Sequence, residues 1–286
     1  MEPFNFDRAE ADEIAVFLAC AALAAGPAVM DVYAHGCDVE IKTDGSPVTI
    51  ADRRAQDVIC AFLRAAVALP SVVAEESAAD QWPLAASHRF LLIDPLDGTR
   101  EFLARNGEFT INIALIENGA PIAGAVYAPA LDRLWFGGRH AYVCKASPGA
   151  GLPNPAGWAP IQIRCAPSAL TAIASRSHSD ARTETFLGRL PVADRRSRGS
   201  SLKFCLVAEG EADVYPRFGP TMEWDTAAGD AVLRAAGGAV LDPSNVPLRY
   251  GKVEHRLKNG PFIAWGDVNA PARFGIVNPS STPHCQ

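Results

Sequence analysis

The run Ile93-Asp94-Pro95-Leu96-Asp97-Gly98-Thr99 constrains this chain more than any other segment. Arg89–Ile93 reads as a buried strand that delivers Asp94 at its C-terminal end. Pro95 forces a turn, Asp97 follows three residues after Asp94, and Gly98-Thr99 can open a helix running through Leu103. Two carboxylates packed this closely repel each other, and a cation makes the arrangement favourable. Donors that are all oxygen select a hard ion, with Mg²⁺ the obvious candidate. At a helix start the Gly98 and Thr99 amides would also point outward, where they can hold a phosphate. The alternative reading of the run alone is an Asp-Gly turn with helix-capping acids.

Other acids sit in similar settings. Glu75 and Glu76 end the short apolar strand Ser71–Ala74; a Glu pair of this kind is usually a solvated turn. Asp225 begins a helix whose apolar stripe is Ala228, Gly229, Val232, Leu233 and Ala236, and it falls on that stripe, facing inward. Its ordinary alternative is an acid complementing the helix dipole. Asp52 follows Thr49 in the T-x-x-D spacing of a capping box, a reading as good as a catalytic one. Acids at strand ends and helix starts thus recur in both halves, where a cleft between two domains would gather them.

The rest of the chain sets the frame. Ile14–Met30 is uncharged, Ala-rich and interrupted by Gly26-Pro27, and acids precede it. This is expected to be a buried helix rather than a membrane span or secretory leader. Ala55, Val58, Ile59, Phe62, Leu63 and Ala66 form one helical stripe ended by Pro70. Phe109–Ile116 and Ile122–Tyr127 flank Asn118-Gly119 as a hairpin, and Leu134–Phe136 and Ala141–Val143 add two strands. Lys145–Pro160, rich in Pro, Gly and Ala, reads as a linker dividing an α+β domain (1–150) from an α/β domain (151–286) in which strands and helices alternate. With 49% hydrophobic residues the 286-residue chain can fill such cores. A net charge of −6 without basic runs argues against a nucleic-acid partner. The seven cysteines (Cys20, Cys37, Cys60, Cys144, Cys165, Cys205, Cys285) are scattered, without a CxxC pair, and read as free thiols in a reducing cytosol.

From about Ile41 to about Trp265 the chain resembles the Mg²⁺-dependent, lithium-sensitive inositol monophosphatase superfamily. Asp94-Pro95-Leu96-Asp97-Gly98-Thr99 matches its first signature and Trp224-Asp225-Thr226-Ala227-Ala228-Gly229 its second. Asn106-Gly107-Glu108-Phe109-Thr110, Ser175-Arg176-Ser177-His178, Gly199-Ser200-Ser201-Leu202-Lys203 and Tyr215-Pro216-Arg217 point within it to the bacterial bisphosphate nucleotidases. The resemblance implies a layered α-β-α-β-α sandwich of the inositol monophosphatase/fructose-1,6-bisphosphatase type. It implies that Glu75, Asp94, the Leu96 carbonyl, Asp97 and Asp225 hold two or three Mg²⁺ ions, all but Asp225 from the first domain. Thr99 and Asp52 are implied to orient and deprotonate the attacking water, and the Gly98 and Thr99 amides to hold the scissile phosphate. His178, Ser200, Lys203 and Arg217 are implied to surround the second phosphate and adenosine of a small nucleotide bisphosphate.

Read singly, those residues are plainer. Lys203 stands in the first turn of an apolar helix, where the dipole disfavours a cation, and snorkelling to solvent is its ordinary fate. His178 is a lone loop histidine, and Arg217 would usually be solvated.

The implied activity is in-line hydrolysis, by metal-activated water and without a phosphoenzyme, of the 3'-phosphate of adenosine 3',5'-bisphosphate (PAP) to AMP. The 5'-phosphosulfate analogue PAPS, giving APS, is a further implied substrate, and sulfur metabolism the implied setting. The alternatives are an inositol monophosphatase or broad sugar-phosphate phosphatase, and a catalytically silent nucleotide- or Mg²⁺-binding regulator. The latter is disfavoured by five intact acids and Thr99. The expected location is cytoplasmic, with peripheral association at the inner membrane and the oligomeric state left open. Arg100 follows Thr99 where a lysine is common, and the tail after Asp267 has no counterpart in the resemblance.

Overall fold

In the computed structural model, residues 3–41, 47–77, 88–175 and 180–276 are described. The uncharged N-terminal segment forms α1 (Ala11–His35), which does not break at Gly26-Pro27 as the sequence suggests. Gly26 is instead a packing position: a Cβ there would lie 2.7 Å from Cε1 of Tyr127, so the missing side chain lets the helix press onto that ring. Among the described residues α1 is the one helix long and apolar enough to cross a membrane, with a mean hydropathy of 1.9. Its Ile14, Leu18, Ala22, Ala25 and Val29 are nevertheless buried in a protein core. A two-stranded ribbon, β1 (Val39–Ile41) with β2 (Pro47–Thr49), leads into α2 (Ile50–Leu63), which packs beside α1 through Ala55, Ile59 and Leu63.

The first sheet has seven strands in the order β3 (Ser71–Ala74), β4 (Arg89–Asp97), β5 (Thr110–Glu117), β6 (Ala120–Ala128), β7 (Arg133–Gly137), β8 (Ala141–Lys145) and β9 (Ala159–Pro160). The short α3 (Thr99–Leu103) lies between β4 and β5. All neighbours are antiparallel except β3 and β4. Asn118 and Gly119, at φ 51° and 76°, form the tight hairpin turn read from their dipeptide. Residues 145–160 are more than a linker, because they add β9 to the sheet edge and set Trp158 against Phe136 at 5.0 Å between ring centroids.

The chain then runs through β10 (Leu170–Ser175), α4 (Ala181–Leu187), β11 (Val192–Arg198), α5 (Leu202–Ala208), β12 (Val214–Arg217), β13 (Thr221–Met222), α6 (Glu223–Ala235), β14 (Ala239–Leu241), β15 (Lys258–Asn259), β16 (Phe262–Trp265) and α7 (Ala270–Arg273), five of whose strands form the second sheet. Its strand order is β11-β10-β12-β16-β14, while β13 and β15 pair separately. Helices α5 and α6 lie between the sheets: one core joins Leu92, Ala114 and Val126 of the first sheet to Phe204, Val207, Val232 and Leu233 of the helices and to Tyr215 and Phe262 of the second. Helices α1 and α2 cover the first sheet's other face, and Phe186, Leu187 and Ala270 of α4 and α7 cover the second's. The order is α-β-α-β-α, as the resemblance implies.

Candidate active site

Strand pairing brings the acids together. In β3 and β4 Ala74 pairs with Ile93, and the Glu75 N–H donates to the Ile93 carbonyl at 3.1 Å, so Glu75 and Asp94 leave adjacent strand ends. Asp94 and Asp97, three apart, would face opposite sides of a regular strand. A bulge at Pro95-Leu96 corrects this: Asp94 pairs with Asn112 and Asp97 with Thr110, so three steps on β4 match two on β5 and both carboxylates reach one face. The turn is tied by the Leu96 N–H donating to Asp94 Oδ1 at 3.0 Å and the Thr99 hydroxyl donating to the Leu96 carbonyl at 3.4 Å. Gly98, at φ +90°, takes a left-handed conformation that suits glycine.

From the opposite side α5 and α6 close the site. Ser200 Oγ donates to Asp97 Oδ2 at 2.7 Å. The Ser201 hydroxyl lies 3.2 Å from Asp97 Oδ2 and 2.8 Å from the Asp225 carbonyl, its single proton serving one of them, and it accepts from Asn112 Nδ2 at 3.0 Å. The Met222 N–H donates to Asp225 Oδ2 at 2.8 Å. Ser201, Thr110 and Asn112 are site residues that the sequence reading passed over. Thr110 and Asn112 carried a usable signal, being polar positions in the otherwise apolar run Phe109–Ile116, and both are buried.

The result is a cleft of about 240 Å³ bordered by Glu75, Asp94, Leu96, Asp97, Gly98, Thr99, Ser200, Lys203, Arg217 and Asp225. Of the residues expected from sequence, two are not among these. His178 lies outside the described residues. Asp52 is buried at the start of α2, where its Oδ2 accepts from the Thr49 N–H and hydroxyl, both at 2.8 Å. The capping box is therefore present, next to the site rather than in its wall: α3, which begins at Thr99, packs against β2. Burial pushes the Asp52 carboxyl up to about 6, with Glu76 adding to the rise and Thr49 opposing it.

Two ordinary readings from sequence are overturned. Lys203 does not snorkel: it is 5% exposed, donates to the Ser200 carbonyl, and sits 5.2 Å from the centroid of Tyr215. Burial lowers its ammonium to about 8 against the opposing pull of Asp97. Arg217 is not solvated but 9% exposed; its Nη2 donates to the Pro220 carbonyl at 3.3 Å, and its buried Nε has no partner among the described residues. Two buried cations border the same cleft as those four carboxylates and Glu101.

Electrostatics show what the cleft suits. Burial, then the charges of Glu75, Asp97 and Asp225, hold Asp94 well above the usual carboxylate range. Burial, then Asp97 and Glu75, do the same to Asp225. Among the described residues no group of three or more Asp, Glu, His or Cys side chains is set to hold a metal ion as it stands. The carboxylates border an open cleft instead of a closed cage. Their chemistry still fits a hard divalent ion, which would remove the repulsion that now favours protonation.

Comparison with known proteins agrees with this architecture. The inositol monophosphatase family profile matches residues 10–267. The 3'(2'),5'-bisphosphate nucleotidase CysQ of Escherichia coli K12 is 46% identical over 239 residues, covering 82% of this chain and 93% of the relative. CysQ of Salmonella typhimurium is 45% identical over 240 residues, with the same coverages. Among solved structures, CysQ from Bacteroides thetaiotaomicron, described as a bacterial member of the inositol monophosphatase family, superposes with a TM-score of 0.77 at 40% identity, covering 89% of this chain and 97% of that one. An inositol monophosphatase from Anabaena shares the fold at a TM-score of 0.71 and 23% identity, covering 93% and 95%. The chain belongs to the inositol monophosphatase family.

Proposed function

We infer that this protein is a Mg²⁺-dependent 3'(2'),5'-bisphosphate nucleotidase that hydrolyses the 3'-phosphate of PAP to give AMP and phosphate. One observation carries the reading: four carboxylates suited to divalent cations and two buried cations suited to a second phosphate border a single cleft. The name carried by the E. coli and Salmonella relatives supports the same substrate class.

Glu75, Asp94, the Leu96 carbonyl, Asp97 and Asp225 would hold two or three Mg²⁺ ions. Bound there, the ions would offset the charge that keeps an anionic nucleophile from a phosphate monoester and would stabilise the leaving oxygen. The Thr99 hydroxyl, beside the Leu96 carbonyl, would orient the attacking water. Asp52 is held by Thr49 and, with a carboxyl near 6, is mostly ionised at neutral pH and basic enough to take up a proton. Gly98 and Thr99 amides would hold the scissile phosphate. Lys203, Arg217, Ser200 and His178 would receive the second phosphate and adenosine. Buried cations are costly when unpaired, so the second phosphate would supply what Lys203 and Arg217 lack. The expected setting is the cytoplasm, in keeping with six free thiols among the described residues.

The test is phosphate release from PAP and from inositol 1-phosphate side by side, with and without Mg²⁺. The reading expects Mg²⁺-dependent release with PAP strongly preferred. Preference for inositol 1-phosphate would make the protein an inositol monophosphatase, and release from neither would make it a silent binder.

A further inference from the structure

The start of α6 is fastened from behind by the loop between β14 and β16. Glu223, the first residue of that helix, is fully buried. Its Oε2 accepts the Gly251 N–H at 2.6 Å, and its Oε1 accepts the Lys252 N–H at 3.0 Å and the Lys252 ammonium at 2.7 Å. The same ammonium donates to Asn259 Oδ1 at 3.2 Å. Asn259 Nδ2 in turn donates to the Met222 carbonyl at 3.0 Å and to the Thr226 hydroxyl at 2.9 Å. Met222, paired with Lys258 across β13 and β15, holds Asp225 Oδ2 with its N–H. Glu223, Lys252, Asn259, Met222 and Asp225 thus form a continuous polar chain that ends on a carboxylate of the cleft.

We propose that Glu223, Lys252 and Asn259 are positioning residues that orient the Asp225 carboxylate for cation binding. The proposal rests on the reading of Asp225 as a cation ligand. Stability alone would not require a fully buried carboxylate paired with a half-buried lysine here, since well-packed apolar side chains usually serve as well or better. What the polar chain adds is direction: it fixes Met222, and Met222 fixes one oxygen of Asp225. Partners of this kind, one step behind a metal ligand, commonly govern affinity for the ion.

The experiment measures Mn²⁺ binding to the full-length protein by electron paramagnetic resonance, alongside Mg²⁺ activation of PAP hydrolysis and a thermal melt for each variant. Glu223→Gln and Lys252→Met are each expected to weaken one Mn²⁺ site about tenfold and raise the half-activating Mg²⁺ concentration equally, with kcat and KM for PAP at saturating Mg²⁺ held within about twofold. Lys252→Arg, which keeps the charge, should stay close to wild type. Wild-type Mn²⁺ affinity in the folded variants would overturn the proposal, as would a loss of kcat that saturating Mg²⁺ does not restore. If either single variant fails to fold, the double variant Glu223→Gln/Lys252→Met decides, because it removes both charges together and leaves no buried carboxylate unpaired. Asp225→Asn separates the two claims. If it loses the Mn²⁺ site while the clamp variants keep it, the clamp fails alone; if it binds Mn²⁺ like wild type, the reading of Asp225 fails and the clamp with it.

Discussion

Lys203 and Arg217 are the side chains whose environment differs most from what their sequence context suggests. Each is a cation beside apolar neighbours, and single-residue physics sends such groups to solvent. Burial against Tyr215, and a cleft shared with Asp97, reverse that outcome only once the two sheets stack about α5 and α6. Lys203→Ala should lower kcat/KM for PAP by about 10- to 100-fold, the loss of one charged hydrogen bond, while changing inositol 1-phosphate hydrolysis little. Equal losses on both substrates, read from parallel kinetics, would contradict its role. The pH profile follows from two groups. As the proposed base, Asp52 would be competent only when ionised, so kcat/KM should fall as pH drops through about 6. Lys203 attracts a phosphate only when protonated, so kcat/KM for PAP should fall as pH rises past about 8. Asp52→Asn should remove the acid limb, and Lys203→Arg should move the alkaline limb upward.

At the scale of elements, apolar patterning locates β3, β5, β6 and α6 close to their observed limits. It misses β11, whose Val192–Arg198 is almost wholly exposed and arginine-rich, because an edge strand held by one neighbour needs no apolar alternation. It also misses β16, a run of four residues between turns, too short to show a period. The β4 bulge lies beyond periodicity as well, since it is defined by what β5 offers across the ladder. Helix α6 carries a pair that sequence alone does not single out: half-buried Arg234 donates from Nε and Nη2 to fully buried Asp230 at 2.7 and 3.1 Å, and the Tyr250 hydroxyl adds a bond at 2.9 Å. Removing the guanidinium leaves a buried carboxylate, so Arg234→Ala should cost about 3–5 kcal/mol in urea unfolding. Burial already raises the Asp230 carboxyl, with Arg234 and Tyr250 opposing. The variant should raise it further, so that more protons are bound folded than unfolded and the deficit grows with rising pH. A loss under about 1 kcal/mol would show that the pair contributes little.

Over the whole molecule, five layers place the C-terminal ends of β3 and β4 against the helix starts that leave the shared α5–α6 layer. The acids gathered there come from β3, β4 and α6, far apart in sequence. Their recurrence at strand ends and helix starts is legible in the chain, but the cleft that joins them is a property of the stacked sheets. The same convergence carries a thermodynamic consequence. On the proposed reading, four carboxylates that repel in the folded state, and separate on unfolding, would make Mg²⁺ a ligand of the native form alone. Mg²⁺ at 100 times its dissociation constant should therefore stabilise the fold by about 2.7 kcal/mol. A higher melting temperature in Mg²⁺ than in EDTA, abolished in Asp94→Asn, would express it; unchanged melting in saturating Mg²⁺ would count against it.

The most direct measurement is anomalous diffraction from crystals grown with Mn²⁺ and AMP plus phosphate. Anomalous peaks are expected at roughly 2 Å, the length of a carboxylate–metal bond, from Glu75, Asp94, Asp97 and Asp225, with phosphate alongside at Gly98 and Thr99. Manganese located away from these carboxylates, or a cleft that takes up phosphate with no metal beside it, would contradict the account.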